Sequence, residues 1–163
     1  MPDKSLNDRI TAYKQAFASG EIQATYQSLV GIVQGLRTEF SKKYKGEFSV
    51  ASVMHGYIDF TYFYLQNAYL KSHQLKLAIV FNHQHARFEL WLLGQTKEVQ
   101  IRYWEKLKGI PWVNPTVMPE YSVFDVTLLA KPDFDDIAGL SAAVHTAFGA
   151  LSAQIFSTLQ AYG

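Results

Sequence analysis

Three acids sit inside runs that otherwise read as apolar strands: Asp59, Glu89 and Asp125. A carboxylate held in a sheet is costly unless something pairs with it. Each is therefore a candidate for a perturbed pKa and for catalysis. Two of them together could hold a divalent metal and activate water. The competing account is that a strand with one wet face carries acids there as a matter of course. Arg87 lies two residues from Glu89 and shares its strand face, so an ion pair explains both without catalysis.

His83-Gln84-His85 is the only close histidine pair. On a strand, alternate residues share a face and could bind one zinc or copper ion. This pair falls at a polar turn, where alternation breaks down, and no third ligand is evident. His55, His73 and His145 are isolated. Ligand-binding candidates are Arg87, Trp91, Trp104 and Trp112. Arg102, Lys106 and Lys108 flank Tyr103 and Trp104, as a base-stacking platform would need, although aromatics at such spacing also simply fill cores. The chain has no cysteine, which removes thiolate metal sites, disulfides and cysteine nucleophiles together. It has no phosphate loop, dinucleotide fingerprint, metalloprotease helix or nucleophile elbow. No cofactor is expected.

The elements that must position these residues follow from periodicity. Leu6, Ile10, Tyr13 and Phe17 make one helical stripe, and Ile22, Tyr26, Leu29, Val33, Leu36 and Phe40 make another. Ser19-Gly20 separates them, so they read as a helical hairpin. Lys42, Lys43 and Lys45 before Gly46 complement a helix C-terminus. The period then changes to two. Strands are expected at 57–65, 75–82, 86–93 and 121–129, with Leu75, Leu77, Ile79, Phe81, Phe88, Leu90 and Leu92 on one buried face. Lys76, Arg87 and Glu89 point away from it. A middle helix is expected over 96–108, capped by Thr96. Pro111, Pro115 and Pro119 make the following segment a loop. Asp133 is expected to cap a long last helix over 134–161. The predicted fold is a single α+β domain over 1–163, a mainly antiparallel sheet of about four strands packed against helices.

From Ile137 to Gly163 there is no Lys, Arg, Asp or Glu, so all 15 basic and 14 acidic residues precede the last helix. A helix without a charged face is expected to be covered on more than one side. A homodimer packed through this helix is one such cover, and the protein's own helices are the other. Ser141, His145, Thr146, Ser152, Gln154, Ser157, Thr158 and Gln160 interrupt it too often for a membrane span. The start of the chain is polar and of mixed charge, unlike a signal peptide. A net charge of +1 gives no general case for nucleic acid or an anionic membrane.

The run Arg87-Phe88-Glu89-Leu90-Trp91-Leu92-Leu93-Gly94, followed by Tyr103-Trp104 and preceded by Leu77-Ala78-Ile79-Val80-Phe81-Asn82, resembles a small bacterial family of uncharacterised stand-alone domains. That resemblance implies a bacterial cytoplasmic protein and assigns no activity. The element order α-β-β-β-α-β is similar to the restriction-endonuclease-like core. In that family an Asp near the second core strand and a Glu-x-Lys on the third bind magnesium. Here the second strand opens Leu75-Lys76-Leu77 without an acid, and Glu89-Leu90-Trp91 has Trp in place of Lys. Asp59 with Glu89 is the only carboxylate pair that could substitute. The leading reading is a non-enzymatic interaction or small-ligand-binding module acting as a homodimer. The alternatives are a divergent metal-dependent hydrolase using Asp59 and Glu89, and a nucleic-acid-binding module.

Overall fold

The computed structural model describes residues 3–162. They form two compact units, one ending at Ile32 and the other beginning at Val33. In the first unit, α1 (Leu6–Phe17) starts where the Ser5 hydroxyl accepts the Asp8 N–H at 3.1 Å. Gly20, at φ +77°, breaks the helix by entering the left-handed region that residues with a Cβ avoid. The chain restarts as α2 (Glu21–Lys43), which continues into the second unit and ends on Lys42 and Lys43 as its dipole favours. No residue of α1 is buried, and Leu6, Ile10 and Tyr13 of its stripe are exposed.

The second unit is built on a five-stranded sheet of order β1-β2-β3-β4-β5. The strands are β1 (Ser49–Val50), β2 (Phe60–Gln66), β3 (Leu75–Asn82), β4 (Arg87–Gly94) and β5 (Phe124–Leu129). Every pairing is antiparallel. The fold is thus α+β, with one strand more than expected. The expected alternation holds on one face. Leu77, Ile79 and Phe81 pair with Leu92, Leu90 and Phe88, and all six are buried. Phe63 and Leu65 of β2 extend that face. Phe40 of α2 covers it, 5.7 Å from Phe63 and 5.1 Å from Phe148 of α5 (Ile137–Tyr162). Fully burying a side chain of this size contributes about 1.5–3 kcal/mol, so this aromatic junction is a principal tie between sheet and helices.

Three boundaries move for local reasons. β2 starts at Phe60 rather than 57, because Gly56 at φ +67° opens a turn through Asp59. The Asp59 carboxylate closes that turn, its Oδ1 accepting the N–H of Tyr57 at 2.9 Å and of Phe60 at 2.7 Å. β5 starts at Phe124 rather than 121, because Ser122 and the proline segment before it are tied to α4 (Lys97–Leu107). Gln100 of α4 donates to the carbonyls of Pro119 and Ser122, both at 2.9 Å. α5 starts at Ile137 rather than 134. Asp133 does not cap it but closes a turn onto the Asp135 N–H, and Asp136 takes the capping role by accepting the Gly139 N–H at 3.0 Å. Thr96 caps α4 as expected.

Two short elements escape periodicity: β1, and α3 (Ala68–Ser72), which Asn67 caps by accepting the Leu70 N–H at 2.8 Å. The order therefore departs from α-β-β-β-α-β, since α3 lies between β2 and β3. The buried face of α5 carries Leu140, Val144, Phe148, Ile155 and Leu159 at helical spacing, while Ile137 is exposed. Among the described residues no helix is long and apolar enough to cross a membrane.

A carboxylate-locked tryptophan and an aromatic cavity on the outer sheet face

The outer face of the sheet is the less expected one. Alternation places Phe60, Tyr62 and Tyr64 of β2, Lys76, Ala78, Val80 and Asn82 of β3, and Arg87, Glu89, Trp91 and Leu93 of β4 on it. A wet face was expected at Glu89. Instead Glu89 is only 3% exposed, and Ala78, Val80, Trp91 and Leu93 are buried beside it. The sheet is covered on both sides at its centre.

Glu89 is stable there because both of its oxygens are engaged. Oε2 accepts from Arg87 Nε at 2.7 Å and from Asn82 Nδ2 at 3.2 Å. Oε1 accepts from the Trp91 indole N–H at 2.8 Å. Arg87, Glu89 and Trp91 are alternate residues of one strand, and Asn82 is the cross-strand partner of Arg87. The local sequence thus supplies the whole network. The expected Arg87–Glu89 pair is present, and it also orients Trp91. Asp125 of β5 lies directly across from Trp91. Partial desolvation first, and the charge of Glu89 second, hold its carboxyl above the ordinary range, with Arg87 opposing.

Ionising Asp125 is therefore disfavoured in the fold. The folded-state pKa lies above the unfolded one, so this group subtracts stability as pH rises through that window. Asp125→Asn should stabilise the fold at neutral pH by a few tenths of a kcal/mol, on the scale of an exposed charge contact, and raise the thermal midpoint accordingly. The gain should vanish below the ordinary value of 3.8. Unfolding curves of both proteins at neutral and acid pH check this.

Next to the locked indole is a cavity of about 330 Å³. Phe60, Tyr62, Tyr64 and Trp91 wall it, Ala78, Val80 and Leu93 floor it, and Gly56, Tyr57 and Tyr121 rim it. Phe60 meets Trp91 edge-on at 4.8 Å, and Tyr62 meets Tyr64 at 5.4 Å. Burial first, and Tyr62 second, push the Tyr64 phenol up to about 12, so it stays a protonated donor. Lys76 Nζ stands 3.7 Å from the centre of the Tyr64 ring, and burial holds its pKa below the ordinary lysine value. Ile58, beside the rim, sits at φ +66°, a strained conformation for a β-branched residue.

The other residues singled out by sequence are dispersed. Asp59 closes its turn just before the start of β2. There burial favours its neutral form, but the two backbone N–H bonds and His83 outweigh it and lower the pKa. Asp59 and Glu89 are not brought together: they lie two strands apart and out of step by three residues, about 14 Å from ordinary strand spacings. His83 Nε2 is 2.7 Å from the Thr61 hydroxyl, and His85 is exposed in the turn. Among the described residues no group of three or more His, Asp or Glu could hold a metal. Trp104 donates to the Asn114 carbonyl at 3.0 Å and so pins the proline loop, and Trp112 packs 5.9 Å from Phe124. Neither lines the cavity. Around Tyr103 and Trp104, Arg102, Lys106 and Lys108 do lie over the rings, but Tyr103 is buried.

A second polar cluster joins α2 and α5 within the second unit. Glu39 accepts from both the Ser141 hydroxyl and His145 Nε2, and His145 stacks on Phe40 at 4.3 Å. The acid stands between serine and histidine, whereas a nucleophilic relay needs the histidine between.

The cavity residues Tyr62, Tyr64 and Lys76 were not singled out by sequence, although Phe60-x-Tyr62-x-Tyr64 carried the signal: three aromatics on the face taken as wet. No curated protein and no solved structure matches the chain. A family model does, over residues 6–159, nearly the whole length. The chain belongs to the family of that model, described as a domain of unknown function, DUF7000.

Proposed function

We propose that the protein is a small-molecule-binding domain, without catalytic activity of its own, acting in a bacterial cytosol as the sequence resemblance implies. The observation that carries this reading is the outer-face cavity, with four aromatic walls and a half-buried ammonium. Its volume lies at the small end of ordinary ligand pockets, roughly 300–1,000 Å³. Its polar groups are few and convergent. The nearby carboxylate Glu89 is saturated with donors and therefore serves as structure rather than as a base.

The test is a panel of one- and two-ring compounds of all charge types, scored by thermal shift and by tryptophan emission. A compound at about a hundred times its Kd should stabilise the fold by about 2.7 kcal/mol. Ala78→Leu, which adds bulk to the floor, should abolish the response while leaving the circular dichroism spectrum unchanged. A panel that moves neither signal at millimolar concentration would reject the cavity as a binding site.

A second reading concerns assembly, and the exposed face of α5 favours it. Gly139, Ala142, Thr146, Gly149, Ala153 and Ser157 are exposed, and the helix has no charge to desolvate. We propose a homodimer packed through this face. Sedimentation at tens of micromolar should give a dimer for the wild type and a folded monomer for Ala153→Glu. A wild-type monomer would end the idea, and a dimer unaffected by the substitution would place the interface elsewhere.

A further inference from the structure

The cavity also specifies what it would hold. We propose that its ligand is a planar aromatic carboxylate, with the acid group on Lys76 and the ring system over Ala78 between Tyr64 and Trp91. This inference rests on the small-molecule reading above and names the chemical class.

The register sets the shape. Tyr64, Ala78 and Trp91 lie side by side on three neighbouring strands, with the small residue in the middle. Strand spacing puts the two large residues about 9.6 Å apart at the backbone. Ala78 between them is itself fully covered, so the open trench lies above it. The trench is walled by rings on both sides and capped at one end by Phe60, edge-on to Trp91. A flat conjugated ligand matches such a slot, since aromatic pairs favour offset or edge contacts. The Trp91 N–H is already held by Glu89, so the indole offers a ligand its apolar ring and no donor.

Charge sets the sign and direction. Lys76 is the one cation among the described residues that line the cavity. Its partner is the Tyr64 ring, and among the described residues it takes part in no ion pair. An ammonium that is partly desolvated without a carboxylate is costly, and an anionic ligand group would remove that cost. The lining acid, Asp59, is engaged through Oδ1 with its own turn. At the far side, Asp125 beside the Arg87–Glu89 pair leaves a net negative charge near Trp91. That charge repels an acid group there and directs it towards Lys76, two residues from Ala78 along β3. One lysine with tyrosine hydroxyls suits a singly charged carboxylate. A phosphate would call for the backbone N–H cradle or arginine fork that this lining does not supply.

Titration calorimetry with naphthoate, its neutral amide and naphthylmethylammonium tests the assignment on the whole protein. The wild type should bind naphthoate at least about tenfold more tightly than the amide, and the cation weakest. Lys76→Met should bring naphthoate and the amide to equal affinity, and Lys76→Arg should keep the preference. Both variants should keep the wild-type circular dichroism spectrum. Equal or tighter binding of the amide or the cation, blocked by Ala78→Leu, would overturn the carboxylate class and leave the cavity standing. A preference for naphthoate that survives Lys76→Met would also overturn it. Silence of all three naphthyl probes rejects the class, whereas silence of the full charge panel rejects the site itself.

Discussion

Leu90→Asp should abolish the folded state. Leu90 is 0% exposed at the centre of the sheet, paired with Ile79 on one side and Val126 on the other. Its face is closed by Phe88 and Leu92 along the strand, both buried and apolar. A carboxylate there would have no partner, and burying an unpaired charge costs several kcal/mol even after relaxation. The methyl groups lost from the core add about 2–5 kcal/mol, as for a leucine truncated to alanine. Together these approach or exceed the roughly 5–15 kcal/mol that holds a domain folded. The variant should be insoluble, or should show no cooperative unfolding transition by circular dichroism. A soluble L90D protein with the wild-type midpoint would disprove the register of β3 on β4.

Glu89→Ala should destabilise the protein by about 3–5 kcal/mol, the scale of a buried pair broken from one side. The substitution strips Trp91 Nε1 and Asn82 Nδ2 of their acceptor and leaves Arg87 without a counter-charge. Glu89→Gln keeps the size and one acceptor, so it should cost less. Denaturant unfolding of the three proteins gives the ranking. Tryptophan emission should shift red in Glu89→Ala as the Trp91 indole loses its anchor, and ligand affinity should fall with it. A loss below about 1 kcal/mol would mean that the carboxylate is solvated in solution and that the network does not hold the cavity wall.

The inner face of the sheet was legible because it obeys one rule. Leu77, Ile79, Phe81, Phe88, Leu90 and Leu92 alternate without exception, and a shift of one residue would expose all of them. The outer face was misread because its own large side chains cover it: Phe60, Tyr62 and Tyr64 of β2 pack against Ala78, Val80, Trp91 and Leu93. The turn at Gly56–Asp59 and the stretch before β5 reach the cavity through Tyr57 and Tyr121. Nothing in the spacing of Glu89 alone reveals that it will be buried. Its pairing with Arg87 was readable because the two are neighbours on one strand face. Asn82 was not, since that contact depends on the hairpin register. Asp59 looked like a strand acid because aromatic and β-branched residues surround it, yet Gly56 three residues earlier was the turn signal. Asp133 and Asp136 are equally good caps by type, and only the path of the preceding turn decides between them. The absence of charge in the last helix was plain from the sequence, but the described residues do not supply the cover expected on its second side, and six small or uncharged residues of its bare face are exposed.

The order of the strands bears on how the chain reaches this structure. Each strand is hydrogen-bonded to its neighbour in sequence, with no crossover anywhere in the sheet. The first three pairings therefore each close a comparatively short loop, and the entropy of closure grows with loop length, by about 0.6 kcal/mol per doubling. The turn between Asn82 and Arg87 is the shortest connection, so β3 and β4 are favoured to meet first, on the microsecond scale of an isolated hairpin. That hairpin already contains Ala78, Asn82, Arg87, Glu89 and Trp91, the floor and the ionic lock together. β5 must wait for the long excursion through α4 and the proline loop, and it brings Asp125 last. The ligand-facing indole is thus oriented by residues close in sequence, before the second acid beside it arrives.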